Sequence, residues 1–255
     1  MLLSPSRADC IIFGIDNVLT DSTAAYSAAI ARCVASLWSE MNESKPEEEI
    51  NAEQYYKAAF GKLYYGDVAW ALLSAMLKNG AKTANEALPT LTEWEDMLAK
   101  AQRDGLATLS VPSLNRDIIA KRCSEFYIGS SDDGTCTLEK PIFHKMWNTL
   151  TMPVLVCTPR PKNEALYALS AIGWGSLPQA CVVCGDAYGK KGVIENICSK
   201  IGCDWPLYIG ALPSDQKLAL EYAKGDFITI GNGISASVIR FLSAADAIRA
   251  ILGIV

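Results

Sequence analysis

Hydrophobic positions along the chain fall into two textures. In the first, apolar residues run unbroken for a few positions and stop at a polar or glycine-containing turn. This happens at residues 10–13, 153–157, 180–184, 206–209 and 226–230. Unbroken rather than alternating apolarity predicts strands covered on both faces, and therefore a parallel sheet. Helical spacing separates the last four runs, with Leu166, Leu169 and Ile172 in the first interval, Val193, Ile194, Ile197 and Ile201 in the second, and Leu218 and Tyr222 in the third. A closing helix is predicted over 236–252 from Val238, Phe241, Leu242, Ala245, Ile248 and Ile251. Strands alternating with helices predict a doubly wound α/β domain.

The second texture fills the stretch between the first strand and the second. Helical spacing dominates over 26–41, 52–60, 67–77, 91–104 and 114–126, with starts at Ser22 and Asp67 and stops at Gly80 and Gly105. The expected organisation is an α/β core from residues 1–20 and 145–255, with a helical domain, 21–144, inserted after the first strand. Open parallel sheets bind ligands beyond the carboxyl ends of their strands. The segments "GIDNVLTDS", "TPRPK", "GDAYGKK" and "GALPSD" are expected to converge there, under the insert as a cap.

Composition narrows the function classes. Of 255 residues, 50% are hydrophobic and 20% charged, which predicts a packed core and excludes disorder. A net charge of −5 argues against nucleic acid, whose phosphates require a basic face. It leaves small phosphorylated ligands open, since these need only one or two local cations. No apolar run approaches the roughly 18 residues of a membrane span. The start, "MLLSPSRADC", is too short and polar for a signal peptide, so a cytoplasmic protein is expected. The nine cysteines are expected to be reduced, with Cys10, Cys157 and Cys181 as buried thiols. Cys181 and Cys184, followed by Cys198 and Cys203, could supply four zinc thiolates, but they sit in a strand and a helix pattern rather than knuckle turns, which favours core cysteines. His144 has no evident partner and reads as a surface or satisfied histidine.

The ordered segments resemble the haloacid dehalogenase (HAD) superfamily of phosphohydrolases, in the branch with a helical cap between the first two motifs. "YYKAAFGKLYYGDVAWALLSAML", "RCSEFYIGSSDDGTCTLEKP" and "CTPRPKNEALYALSAIGW" are similar to stretches of one hydrolase subgroup. The resemblance implies a HAD-like Rossmannoid core and assigns roles to four motifs. In the first, an aspartate attacks phosphorus and a second aspartate serves as acid and base. Here those positions are Gly14 and Asp16, and Asn17 replaces the usual glycine. In the second, Thr158 matches the hydroxyl that orients phosphate, although a threonine there also suits a turn or helix cap. Arg160 could add a guanidinium fork or be a surface arginine. In the third, either Lys190 or Lys191 fills the lysine position, with Gly192 in place of the usual proline. In the fourth, Ala211 stands at one acidic position and Asp215 keeps the other, where it could instead be an N-cap.

Magnesium in this family is held by the attacking carboxylate, a fourth-motif carboxylate and the backbone carbonyl at the second aspartate. Of these, Asp16 with its carbonyl and Asp215 survive. The expectation is a non-catalytic HAD-like protein that needs no cofactor and binds phosphate or a phosphorylated metabolite through Thr158, Arg160 and Lys190 or Lys191. The alternative is a magnesium-dependent phosphatase using Asp16, with Asp186 or Asp21 replacing a lost carboxylate. A third reading gives the helical domain an interaction role through Trp38, Tyr55, Tyr56, Phe60, Tyr64, Tyr65, Trp70 and Trp94. At helical spacing, however, such residues are more often core.

Overall fold

The computed structural model describes residues 8–42, 50–80, 83–129, 140–141, 143, 147–185, 191–221, 225–230, 239–241, 246–247 and 249. The chain divides into two units, one built from Met1–Ser22 and Glu139–Val255, the other from Thr23–Leu138. Strand β1 (Cys10–Phe13) and the short β2 (Thr20–Asp21) come first. The helical unit follows as α1 (Thr23–Asn42), α2 (Glu53–Ala59), α3 (Tyr65–Asn79), α4 (Ala84–Ala87), α5 (Leu91–Asp104) and α6 (Arg116–Gly129). The chain then returns through β3 (Lys140–Pro141), β4 (Val154–Thr158), α7 (Lys162–Ala171), β5 (Val182–Cys184) and α8 (Lys191–Lys200). It ends with β6 (Pro206–Gly210), α9 (Pro213–Glu221), β7 (Asp226–Ile230) and β8 (Ile239–Phe241).

The main sheet is parallel, in the order β5-β4-β1-β6-β7-β8. β1 is flanked on both sides, with Ile11 opposite Val154 in one neighbour and Leu207 in the other. Alternate residues supply two cores. Ile11, Phe13, Val154, Val156, Leu207 and Ile209 pack with Ala165, Ala168 and Leu169 of α7 and with Trp174. Cys10, Ile12, Leu155, Cys157, Val183 and Tyr208 pack with Ile194 and Cys198 of α8. Burial on both faces explains the unbroken apolar runs. β2 and β3 form a separate antiparallel pair, with Thr20 opposite Pro141.

Three expectations need correction. The helix predicted over 236–252 contains β8, in which Ile239 and Phe241, a β-branched and an aromatic residue, extend the sheet by pairing with β7. The rest of that segment lies outside the described residues except 246–247 and 249. Cys10 is not a reduced thiol but is joined to Cys203 in a disulfide, with Cα atoms 5.9 Å apart. A separation of 193 residues hides this pairing from local pattern. The four-cysteine zinc arrangement does not form. Cys181 and Cys184 pack against the α7-side core, whereas Cys198 and Cys203 belong to the α8-side core.

Within the helical unit, aromatics form the interior. Tyr26 stacks on Tyr65 at 4.0 Å between ring centroids, and Tyr56 and Tyr127 meet Tyr26 edge-on or tilted. Trp94 is fully buried and donates from Nε1 to the Tyr55 carbonyl at 3.0 Å. Trp38, Tyr55, Tyr56, Tyr65 and Trp70 are also buried, while Phe60 and Tyr64 are half-buried. Gly80 (φ 63°) and Gly105 (φ 92°) stop α3 and α5, where a side chain would be strained. Asp67 does not start α3. It lies inside the first turn, bound through both oxygens to Arg116 at 2.6 Å. A capping box opens α5, in which Thr90 accepts from the Glu93 N–H and Glu93 accepts from the Thr90 N–H. Thr90→Ala is expected to destabilise the protein by about 1 kcal/mol, read as a shift of the urea midpoint without a change of slope. Among the described residues, no helix is long and apolar enough to cross a membrane.

Candidate functional site

β1, β4 and β6 are adjacent and parallel, so Gly14, Thr158 and Gly210 end their strands at the same edge of the sheet. The chain leaves β1 with the Gly14 N–H donating to the Ile209 carbonyl at 2.9 Å. It then folds back tightly, and the Ile15 carbonyl accepts from Val18, Leu19 and Thr20 at 3.2, 2.9 and 3.1 Å. Asn17 takes a left-handed conformation there, φ 57°. This is why glycine suits the position and why asparagine, which tolerates that region, is an acceptable replacement.

The turn presents Asp16, which is buried beside a fully buried Arg160. Arg160 Nη2 donates to Asp16 Oδ1 at 2.7 Å, and Nε donates to Oδ2 at 3.3 Å. Ser22 Oγ donates to the same Oδ1 at 2.6 Å. Arg160 is itself held by backbone bonds. Its N–H donates to Thr158 Oγ1 at 3.3 Å, and its carbonyl accepts from the Gly185 N–H at 2.7 Å. The Thr158 hydroxyl therefore serves a buried turn at the end of β4. Glu164, in the first turn of α7, is also fully buried.

On the other side, β6 ends at Gly210 and the buried Ala211. Asp215 is the third residue of α9, and its carboxylate turns back over the helix start. Oδ2 accepts from the N–H groups of Ala211 and Leu212, both at 3.0 Å, and Oδ1 accepts from the Tyr208 hydroxyl at 3.4 Å. Asp215 therefore caps from inside the helix rather than at the N-cap itself. Its side chain lies against Gly210, where a Cβ would stand 2.5 Å from Asp215 Cβ. A Cβ at Gly14 would stand 3.3 Å from Asp215 Oδ2 and 3.3 Å from Val18 Cγ2. Gly14 and the Asp215 carboxylate thus face each other. Burial, reinforced by the charge of Asp215, pushes the nearby Cys157 thiol well above its ordinary range, so it stays protonated.

One edge of the sheet thus gathers Gly14, Asp16, Thr158, Arg160, Ala211 and Asp215. Lys191 is the first residue of α8, and Lys190 and Asp186 lie outside the described residues, as does His144. Two further residues belong to this arrangement, Ser22 and Tyr208 as hydroxyl donors. The helix-start signal at Ser22 marked the right residue, but its hydroxyl goes to Asp16.

The sequence matches no family model and no curated protein. Solved structures match it over nearly its whole length. Phosphatase Tt82 from Thermococcus thioreducens is 17% identical, with a TM-score of 0.59, over 96% of this chain and 99% of that one. CbbY from Rhodobacter sphaeroides, in complex with phosphate, is 12% identical, with a TM-score of 0.53, over 94% and 96%. YfnB from Bacillus subtilis, a HAD-hydrolase bound to magnesium, is 14% identical, with a TM-score of 0.53, over 97% and 100%. At these identities the likeness is one of architecture, and the chain has the fold of the haloacid dehalogenase-like phosphatases.

Proposed function

We propose that this chain is a non-catalytic protein of phosphatase fold, which holds phosphate or a small phosphorylated molecule at the strand ends without cleaving it. The observation that carries this reading is the buried ion pair between Asp16 and Arg160. Phosphoryl transfer through a covalent intermediate requires an oxygen where Gly14 stands, and glycine has none. Acid and base work by Asp16 requires a carboxylate that can reach a substrate oxygen. Its oxygens are instead engaged by Arg160 and Ser22.

The residues present do not fit magnesium. The ion prefers six oxygen ligands in near-octahedral array. Here a guanidinium occupies Asp16, and Asp215 spends Oδ2 on two backbone N–H groups. The positive charge that a metal would bring beside Asp16 is supplied by Arg160. Pairing Asp16 with Arg160 also lowers the repulsion an incoming anion would meet. In this reading the Thr158 hydroxyl, which accepts from the Arg160 N–H and keeps its own proton to donate, holds the anion with one of Lys190 and Lys191, and Arg160 acts through Asp16 rather than on the ligand. Phosphate in one CbbY complex, and xylulose-1,5-bisphosphate in a complex of a mutant CbbY, support the ligand class.

The test has two arms on protein free of contaminating phosphatase. Hydrolysis of p-nitrophenyl phosphate with magnesium is expected to stay at the buffer rate, and Asp16→Asn to change nothing. Excess inorganic phosphate is expected to raise the melting temperature by linkage, and Thr158→Ala to reduce that rise. Magnesium-dependent turnover abolished by Asp16→Asn would overturn the non-catalytic reading. Absence of any phosphate-induced shift would overturn the ligand class.

A further inference from the structure

Three cysteine sulfurs meet at the opposite edge of the sheet from the candidate site. Cys10 opens β1, Cys198 lies in α8, and Cys203 lies in the turn between α8 and β6. Their Sγ atoms all lie within 4.8 Å of one another. Gly14 is the length of β1 away, about 13 Å at the usual strand rise. All three side chains are buried, at 0%, 1% and 5% exposure, in the apolar core made by Ile12, Leu155, Ile194 and Tyr208. Cys10 and Cys203 are joined as a disulfide, and Cys198 stands outside that bond.

We propose that, once this disulfide is reduced, Cys10, Cys198 and Cys203 form a three-thiolate site for one monovalent copper ion. Reduction takes two molecules of a small thiol, which become their own disulfide and pass two electrons and two protons to Cys10 and Cys203. Each sulfur that then binds the ion gives up its proton to solvent. Exchange with a small-molecule disulfide, which takes the two electrons and leaves as two thiols, restores the Cys10–Cys203 bond and excludes the ion.

The donor set selects the metal. Thiolates favour soft ions, among them monovalent copper and zinc. Structural zinc takes four ligands, and among the described residues no fourth histidine, cysteine, aspartate or glutamate joins this cluster. The apolar, buried surroundings leave no place for water as a fourth ligand. Monovalent copper is satisfied by three sulfurs in a plane. A metal–sulfur distance of about 2.3 Å puts such sulfurs about 4 Å apart. Cys198 Sγ already lies within 4.8 Å of the other two, and reduction must let the bonded Cys10 and Cys203 sulfurs part to that distance.

The test is competition between reduced protein and a colorimetric copper(I) chelator without oxygen, with a parallel titration of zinc. One copper per chain is expected, bound more tightly than zinc. Cys198→Ser and, separately, Cys203→Ser are each expected to weaken binding by about 100-fold or more. The double variant Cys181→Ser/Cys184→Ser, on the other face of the sheet, is expected to bind as the parent does. Circular dichroism identifies any variant that fails to fold, and affinities are compared among those that do. If neither serine variant at the cluster folds, retention of one tight copper by the Cys181→Ser/Cys184→Ser protein supports the proposal. Loss of copper on changing Cys181 and Cys184, tighter binding of zinc than copper, or unchanged affinity in a folded cluster variant would overturn it.

Discussion

Arg160→Met is expected to cost about 3–5 kcal/mol of folding stability, the usual penalty for stripping one partner from a buried ion pair. The guanidinium has no exposed surface, and the Asp16 side chain is 8% exposed. Methionine keeps much of the volume but offers Asp16 no cation, so a carboxylate is left in a nearly dry pocket with only the Ser22 hydroxyl and its other local contacts. The double variant Asp16→Asn/Arg160→Met is expected to recover much of the loss, because replacing both charges removes the desolvation penalty along with the attraction. Urea unfolding of the parent, Asp16→Asn, Arg160→Met and the double variant closes the cycle. A single-variant loss within about 1 kcal/mol of parent would mean that water reaches the pair and that Asp16 remains available for chemistry.

Gly14→Asp, which places a carboxylate where the proposed reading lacks a nucleophile, is expected to destabilise the protein by about 3 kcal/mol and to give no turnover. Backbone geometry is not the obstacle, since Gly14 is not among the positive-φ glycines. The obstacle is what now faces the position: a new Cβ falls 3.3 Å from Asp215 Oδ2 and 3.3 Å from Val18 Cγ2. The added carboxylate would meet the carboxylate of Asp215, which is 1% exposed. Gly14→Asn makes nearly the same shape without the charge and is expected to cost about 1–2 kcal/mol. The difference between the two variants isolates the like-charge term. A rise in the melting temperature of Gly14→Asp on adding magnesium would show that Asp215 can release its two backbone N–H groups, and the reading of this site as metal-excluding would fall.

The core of the fold was legible because its residues obey local rules. Ile11 to Phe13, Leu155 to Cys157 and Leu207 to Ile209 are apolar on consecutive positions because both faces of each strand are covered. Gly80 and Gly105 marked helix ends through conformations that need no knowledge of the partner. β8 was missed because Val238, Phe241, Leu242 and Ala245 also satisfy helical spacing, and only pairing with β7 decides between the two. The residues singled out from motif order, Gly14, Asp16, Thr158, Ala211 and Asp215, lie at one edge of the sheet. Chain position could not reveal where side chains turn. Arg160 reaches Asp16 across 144 residues, and the Asp215 carboxylate reaches back to Ala211 rather than outward. Both are tertiary choices made by charge and by unsatisfied N–H groups.

The place of β1 at the centre of the sheet has a consequence for the order of synthesis. This strand is made before both of its neighbours, so Ile11 must wait for Val154 and Leu207 before its two sides are covered. At about 5–20 residues per second, roughly 10–40 seconds pass between Ile11 and Leu207, with an apolar segment exposed while α1 to α6 fold from neighbouring sequence. The earliest strand is therefore among the last to be secured, and a nascent chain stalled before residue 206 would display it to chaperones.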